Sequence, residues 1–247
     1  MEDLFNKVIQ ADCLEFLKGL PNGSVDLVLI DPPYILETKG GKAFKGIKYH
    51  KEINAFSNGF SFEVLDEICR VQKIINCYIF CSKRQVAKII NYFEAKECNY
   101  DILTWHKTNP PPLIGSSYLP DTEYIIFARG KGAKFKGIYE NLRKYYISYT
   151  NTKDKNKYKH PTCKPVELLE KYILNSTNEN DIVLDCFSGS GSTAIASISL
   201  NRRFIGCELN KEYVDISNRR ISNIWQEKGG NKAHDTGEVK GKQYVLL

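Results

Sequence analysis

From Ile182 to Ala196 the chain reads Ile-Val-Leu-Asp-Cys, then Phe187-Ser188-Gly189-Ser190-Gly191-Ser192-Thr193, then Ala-Ile-Ala: a short aliphatic strand, a glycine turn and the start of a helix. Glycines in such a turn let a ligand approach the backbone closely, and the free N–H groups at the helix start favour a negative or polar group. The same grammar runs through the rest of the chain. Period and length predict strands near 8–10, 25–30, 77–81, 100–106, 123–128, 182–186 and 203–208. Helical stretches fall between them. Leu65, Ile68, Val71 and Ile75 share one apolar face, as do Val86, Ile89, Ile90 and Phe93, and the pattern returns from Lys211 to Ile224. Alternating strands and helices imply an α/β fold, a doubly wound, mostly parallel sheet of seven strands. Ligands of such sheets bind outside the carboxyl ends of the strands.

A second strand–turn junction carries chemistry. Val25-Asp26-Leu27-Val28-Leu29-Ile30 ends abruptly in Asp31-Pro32-Pro33-Tyr34. The tetrapeptide suits alkylation of an exocyclic amine on a planar base. That amine is a poor nucleophile because its lone pair is delocalised into the ring, so a catalyst must favour the tetrahedral nitrogen formed during attack. Asp31 offers one acceptor for its N–H bonds. The Pro32 carbonyl offers another, held by two prolines that fix φ near about −65° and restrain the residue before each. Tyr34 supplies a flat face for an extruded base. Read alone, Asp-Pro-Pro is equally a turn that closes a strand.

Beyond the glycine turn, Arg203 to Cys207 forms another predicted strand, ending at Glu208, an acid placed to bind ribose hydroxyls. Gly189 to Ala194 also fits the dinucleotide pattern G-x-G-x-x-A. A nicotinamide domain needs several more βα units than the 54 residues after Thr193 supply, so a smaller adenosyl ligand is expected.

These segments together resemble the β group of S-adenosylmethionine-dependent DNA amino-methyltransferases, in which the DPPY motif precedes the FxGxG motif. Ala11 to Leu17 is similar to the family's opening segment, Trp105 to Pro110 to its segment before the target-recognition region, and His160-Pro161-Thr162-Cys163-Lys164-Pro165 to its motif ahead of the cofactor loop. The likeness spans roughly residues 6–222. Cys163 stands where Gln is common and Ala11 where Gly is common; neither change removes a group with chemistry.

The resemblance implies roles. Asp31, Pro32, Pro33 and Tyr34 form the catalytic turn. Asp12 with Cys13 is expected at the cofactor adenine, Glu208 at its ribose, and Asp185 with Phe187, Ser188, Gly189, Gly191, Ser192 and Thr193 at its methionine end, helped by Thr162 and Lys164. No metal is implied, because the sulfonium is already an activated donor. The expected acceptor is N6 of adenine in double-stranded DNA. Rival readings are N4 of cytosine, for which the family more typically has Ser in place of Asp31, RNA or protein glutamine, and a non-catalytic DNA-binding subunit on a methylase scaffold. A homodimer and a cognate restriction endonuclease are the further partners the family admits.

The chain carries a net charge of +6, unevenly placed. Soon after Tyr34, the window from Thr38 to Lys51 holds Lys39, Lys42, Lys45, Lys48 and Lys51 and no acid, as suits a mobile basic loop over 35–60 that closes on a flipped base. From Lys131 to Lys159 nine basic residues face only Glu140 and Asp154, interleaved with tyrosines. Cations mixed with aromatics suit phosphate neutralisation and stacking. Lys39, Lys42, Lys45, Lys48, Lys107, Arg143 and Lys144 are therefore the expected DNA contacts. The resulting organisation is a catalytic half over 1–130, a target-recognition insertion over 131–159, a cofactor-binding half over 160–227 and a flexible tail over 228–247. The eight cysteines make no C-x-x-C and no zinc-like pairing with the four histidines, so they read as reduced thiols of a cytoplasmic protein. No apolar run approaches membrane length.

Overall fold

The computed structural model describes residues 1–34, 60–110, 112, 118–158 and 163–230. The strands are β1 (Lys7–Gln10), β2 (Leu27–Ile30), β3 (Asn76–Cys81), β4 (Asn99–Lys107), β5 (Thr122–Arg129), β6 (Tyr145–Ser148), β7 (Ile182–Asp185) and β8 (Arg203–Glu208). The α-helices are α1 (Cys13–Lys18), α2 (Phe62–Val71), α3 (Val86–Glu94), α4 (Thr152–Tyr158), α5 (Val166–Ser176), α6 (Ser192–Ser199) and α7 (Lys211–Gly230). The mobile loop expected over 35–60 lies, apart from Phe60, outside the described residues, as does the tail beyond Gly230.

Among the described residues eight strands join one sheet in the order β1-β8-β7-β2-β3-β5-β4-β6. The first five are parallel, and β5 then runs antiparallel to both β3 and β4. All seven predicted strands are present. The eighth corrects the expected count: β6 lies inside the basic insertion and pairs in parallel with β4, Trp105 opposite Tyr146. Its burial alternates, with Tyr146 packed on the core while Tyr145 and Ile147 face outward. The insertion thus extends the sheet instead of standing off it.

Period-two alternation on the central strands builds two cores. Val28 and Ile30 of β2 point to the side covered by Leu17, Leu65, Ile68 and Phe93 from α1, α2 and α3. Leu27 and Leu29 point to the other, covered by Leu168, Leu169, Tyr172 and Ile173 from α5. Helix α2 stops at Val71, short of the predicted Ile75. Gln72 takes an extended backbone, bridges Val25, and its Oε1 accepts from the Asn76 N–H at 2.8 Å.

Strands β2 and β7 are hydrogen-bonded neighbours, Leu27 opposite Val183 and Val28 opposite Leu184. The chain leaves β2 for α2 on one face and leaves β7 for α6 on the other. That divergence opens a crevice beyond the two carboxyl ends, the usual ligand position in a doubly wound sheet.

Candidate active site

A cavity of about 800 Å³ fills this crevice. Its size lies inside the range of about 300–1,000 Å³ usual for small-molecule sites. Asp31, Pro32, Pro33 and Tyr34 line one wall, and Asp185 with the turn from Phe187 to Ser190 lines the facing one. Asp12, Cys13, Ser192, Thr193 and Glu208 complete the lining, with Phe60 and Tyr213 beside them. The acidic proline turn and the glycine turn therefore open into one space.

The glycine turn is rigidly built. Gly189 and Gly191 both have left-handed backbones, φ 49° and 81°. At Gly191 a Cβ would lie 2.9 Å from the Ser217 hydroxyl and 3.2 Å from its Cα, so conformation and space both require glycine. Gly191 does not line the cavity; it lets α7 back the turn, where Ser217 Oγ donates to the Gly189 carbonyl at 2.7 Å and Arg220 to the Ser190 carbonyl at 2.7 Å. Glu208 closes the turn from the side: its Oε2 accepts from the Gly189 N–H at 2.9 Å and its Oε1 from the Asn210 N–H at 2.8 Å. Asp185 Oδ1 accepts from the Phe187 N–H at 2.9 Å, and burial pushes its carboxyl up to about 7 against the help of Thr193 and that N–H.

The lining fits an adenosyl amino acid. Glu208 retains lone pairs for ribose hydroxyls beyond the two N–H groups it already accepts. The Ser192 hydroxyl, buried at the start of α6, has no hydrogen-bond partner among the described residues, which marks it for a ligand oxygen. Asp12 caps α1, accepting from the Leu14 and Glu15 N–H groups at 2.9 and 3.3 Å, and lines the cavity as well. The neighbouring Cys13 thiol is pushed up to about 11, first by burial and then by Asp12, so it is a neutral wall at physiological pH. Thr162 and the lysines 39, 42, 45 and 48 lie outside the described residues. Among the described residues no group of three or more His, Cys, Asp or Glu side chains is disposed to hold a metal ion.

Behind the turn from Asp31 to Tyr34 lies a charged cluster that sequence patterns do not reveal. The Lys164 ammonium, with a side chain only 6% exposed, pairs with Asp31 Oδ2 and reaches Glu123 Oε2 at 3.4 Å. It sits 5.6 Å from the Tyr34 ring centroid and 5.0 Å from that of Phe80. Tyr34 donates its hydroxyl to Glu123 Oε2 at 3.1 Å, and Lys107 pairs with Glu123 Oε1 at 2.7 Å. Lys164, expected beside the cofactor's methionine end, lines the cavity and pairs with the Asp31 carboxylate, and Lys107, expected on DNA, pairs with Glu123. Gln85 steadies the same turn: its Nε2 donates to the Pro33 carbonyl at 3.2 Å while its Oε1 accepts from Ser82. In the insertion, Lys144 pairs with Asp101 and Arg143 donates to the Tyr145 hydroxyl at 2.8 Å, both at the surface.

Comparison with known proteins follows the same lines. The sequence profile of the family described as DNA methylase matches residues 25–219. The type II methyltransferase M2.MboI of Moraxella bovis is 30% identical over 246 residues, 88% of each chain. M.HpaI of Haemophilus parainfluenzae is 32% identical over 239 residues, 87% of this chain and 74% of that one. Among solved structures, the M1.HpyAVI–SAM complex superposes with a TM-score of 0.64 at 32% identity, covering 87% of this chain and 98% of that one. The cytosine-N4-specific PvuII DNA methyltransferase reaches a TM-score of 0.66 over 90% of this chain and 93% of its own, at 16% identity, which is a likeness of fold alone.

Proposed function

Because the chain belongs to the DNA methylase family, the S-adenosylmethionine-dependent DNA amino-methyltransferases, we propose that it methylates N6 of an adenine extruded from duplex DNA. The observation that carries this reading is the single cavity joining Asp31–Tyr34 to the glycine turn and Glu208. Bound S-adenosylmethionine supplies a methyl group already activated on a sulfonium. The protein's part is position and electrostatics. Glu208 holds the ribose side, and Asp185, Ser192 and the α6 N-terminus hold the amino-acid side. Across the cavity, the Asp31 carboxylate and the Pro32 carbonyl accept from the two N–H bonds of the target amine, turning its lone pair toward the methyl group for in-line attack. Tyr34 gives the base a face to stack on. Asp31 at the first place of the tetrapeptide favours adenine over cytosine. The basic insertion, with Arg143 and Lys144 at its surface, suits the phosphate backbone.

The test is expression in a methylation-free host, followed by nucleoside analysis and genome-wide mapping of modified bases. N6-methyladenine in a fixed sequence context is expected. N4-methylcytosine would overturn the choice of base, and unmodified DNA the enzymatic reading.

Asp185 gives a pH dependence with a definite sign. Its folded value of about 7 lies above the ordinary 3.8, so the native state holds this proton more tightly than the unfolded chain. Its stabilising contribution is complete below about 4 and is lost as pH rises through 7. Binding of a cationic ammonium runs the other way, because it needs the carboxylate. S-adenosylmethionine affinity is expected to rise between pH 6 and 8, while the cofactor-free melting temperature falls. Calorimetric titration of wild type and Asp185→Asn checks this; equal slopes in the two proteins would remove Asp185 from the binding set.

A further inference from the structure

Glu123 stands on β5, 89 residues from Tyr34 in sequence, and does not line the cavity. It nevertheless contacts the two groups that flank the catalytic carboxylate, Tyr34 and Lys164, and a third, Lys107, on its far side. One oxygen accepts from the Tyr34 hydroxyl and lies 3.4 Å from Lys164, and the other takes Lys107 at 2.7 Å. We infer that Glu123 is a positioning residue for methyl transfer: it takes a share of the Lys164 ammonium and fixes the Tyr34 ring, leaving Asp31 able to accept from the target amine. The inference rests on the methyl-transfer reading above.

Asp31 and Glu123 compete for Lys164. A buried ammonium must be paired, and Lys164 has two carboxylates within reach. Were Asp31 its sole partner, all the charge-assisted bonding of Lys164 would fall on the group that must receive the amine, and the amine would meet a carboxylate already neutralised. Glu123 divides that attraction. Lys107 on the far oxygen balances the extra acid, so two carboxylates and two ammonium groups form a closed set. Tyr34 is fixed by the same oxygen that reaches Lys164, which ties the stacking face to the acceptor.

The charges around Asp31 are Lys164 and Glu123, with Asp185 across the cavity; the Tyr34 hydroxyl and the Cys81 thiol beside it stay neutral. Burial holds Asp31 above the ordinary carboxylate range, Lys164 opposing and Glu123 adding to the rise. Burial also raises Glu123, but Lys164 and Lys107 outweigh it and hold that carboxyl below its usual value. Removing the Glu123 charge therefore moves the acid limb of the rate profile, which belongs to the cluster as a unit, to lower pH.

The experiment uses Glu123→Gln in the full-length protein, with tritiated S-adenosylmethionine and unmethylated genomic DNA that wild type modifies. Glutamine keeps an acceptor for Tyr34 and loses the charge. Single-turnover transfer is expected to fall by about 10- to 100-fold, the scale of misplacing a reacting group by about 1 Å. Cofactor affinity should stay within about twofold, and the acid limb should shift to lower pH. A wild-type rate with an unmoved limb overturns the proposal, and so does a variant that loses cofactor binding and transfer together. Should Glu123→Gln fail to melt cooperatively, Glu123→Asp keeps the charge and shortens the reach: slowed transfer with the limb in place supports the role, and an unchanged rate overturns it. A wild type that modifies cytosine defeats the adenine reading and leaves this test standing, since both amines need the same acceptor.

Discussion

Asp31→Ala is expected to bind S-adenosylmethionine within about threefold of wild type while transferring methyl at least about 10³-fold more slowly, the upper range for deleting one preorganised electrostatic group. The two effects separate because the cavity has two walls. The groups suited to the cofactor are Asp185, Ser192, Glu208 and the glycine turn, none of which is hydrogen-bonded to Asp31. Asp31 instead meets Lys164, Glu123 and Tyr34, all on the acceptor side. Alanine removes the acceptor and leaves Lys164 with Glu123 alone, at 3.4 Å, so an ammonium faces the incoming amine where a carboxylate had been. Asp31→Asn should also be slow, though less so than alanine, since its amide oxygen keeps one acceptor while the negative charge that polarises the amine is lost. Single-turnover assays beside calorimetric cofactor titration decide the matter. Near-normal turnover in either variant refutes the assignment, and loss of cofactor affinity would move Asp31 to the other wall.

Legibility in the sequence followed contact range. Both chemical turns were readable because each is contiguous: the aliphatic run supplies the strand, and the prolines or glycines supply the stop. The doubly wound class followed from alternation. Strand β6 escaped because Tyr145-Tyr146-Ile147-Ser148 is embedded among lysines, and its mixed aromatic and cationic composition read as a nucleic-acid surface. Partner strand β4 decides its state by offering an edge, and no local pattern encodes that. The cluster behind Asp31 was hidden for the same reason. Lys164 and Asp31 are 133 residues apart, so their pairing is a property of the fold. Glu123 gave one faint signal, an acid directly before the apolar run from Tyr124 to Ala128, where it is costly unless paired. Gln85, the residue immediately before an amphipathic helix, gave none.

Gly206 supplies the second large effect, and it acts on the cofactor wall from behind. It lies in β8 between Val8 of β1 and Asp185 of β7, a central position where glycine weakens a strand and usually marks a close approach. Here the approach is the glycine turn itself. A Cβ on Gly206 would meet the Ser188 hydroxyl, lie 2.5 Å from the Phe204 ring and lie 2.6 Å from the Asp185 carbonyl oxygen. The carbonyl is backbone in the adjacent strand and cannot swing aside. Ser188 Oγ donates to that same carbonyl at 2.8 Å, so the methyl group would drive out the bond that seats the turn. Gly189, whose N–H holds Glu208, moves with it. Gly206→Ala is therefore expected to cost about 1–3 kcal/mol of stability, a melting shift of roughly 3–10 °C for a chain of this size. Cofactor affinity should fall at least about tenfold, beyond the loss from overpacking alone, because ribose and amino-acid contacts share the displaced turn. Ser188→Ala in the same background frees space beside the added methyl and should recover part of the stability but less of the affinity, since the carbonyl clash persists. Thermal melting and cofactor titration of the two single variants and the double variant measure the coupling, and wild-type affinity in Gly206→Ala would show that the turn is not seated on this strand.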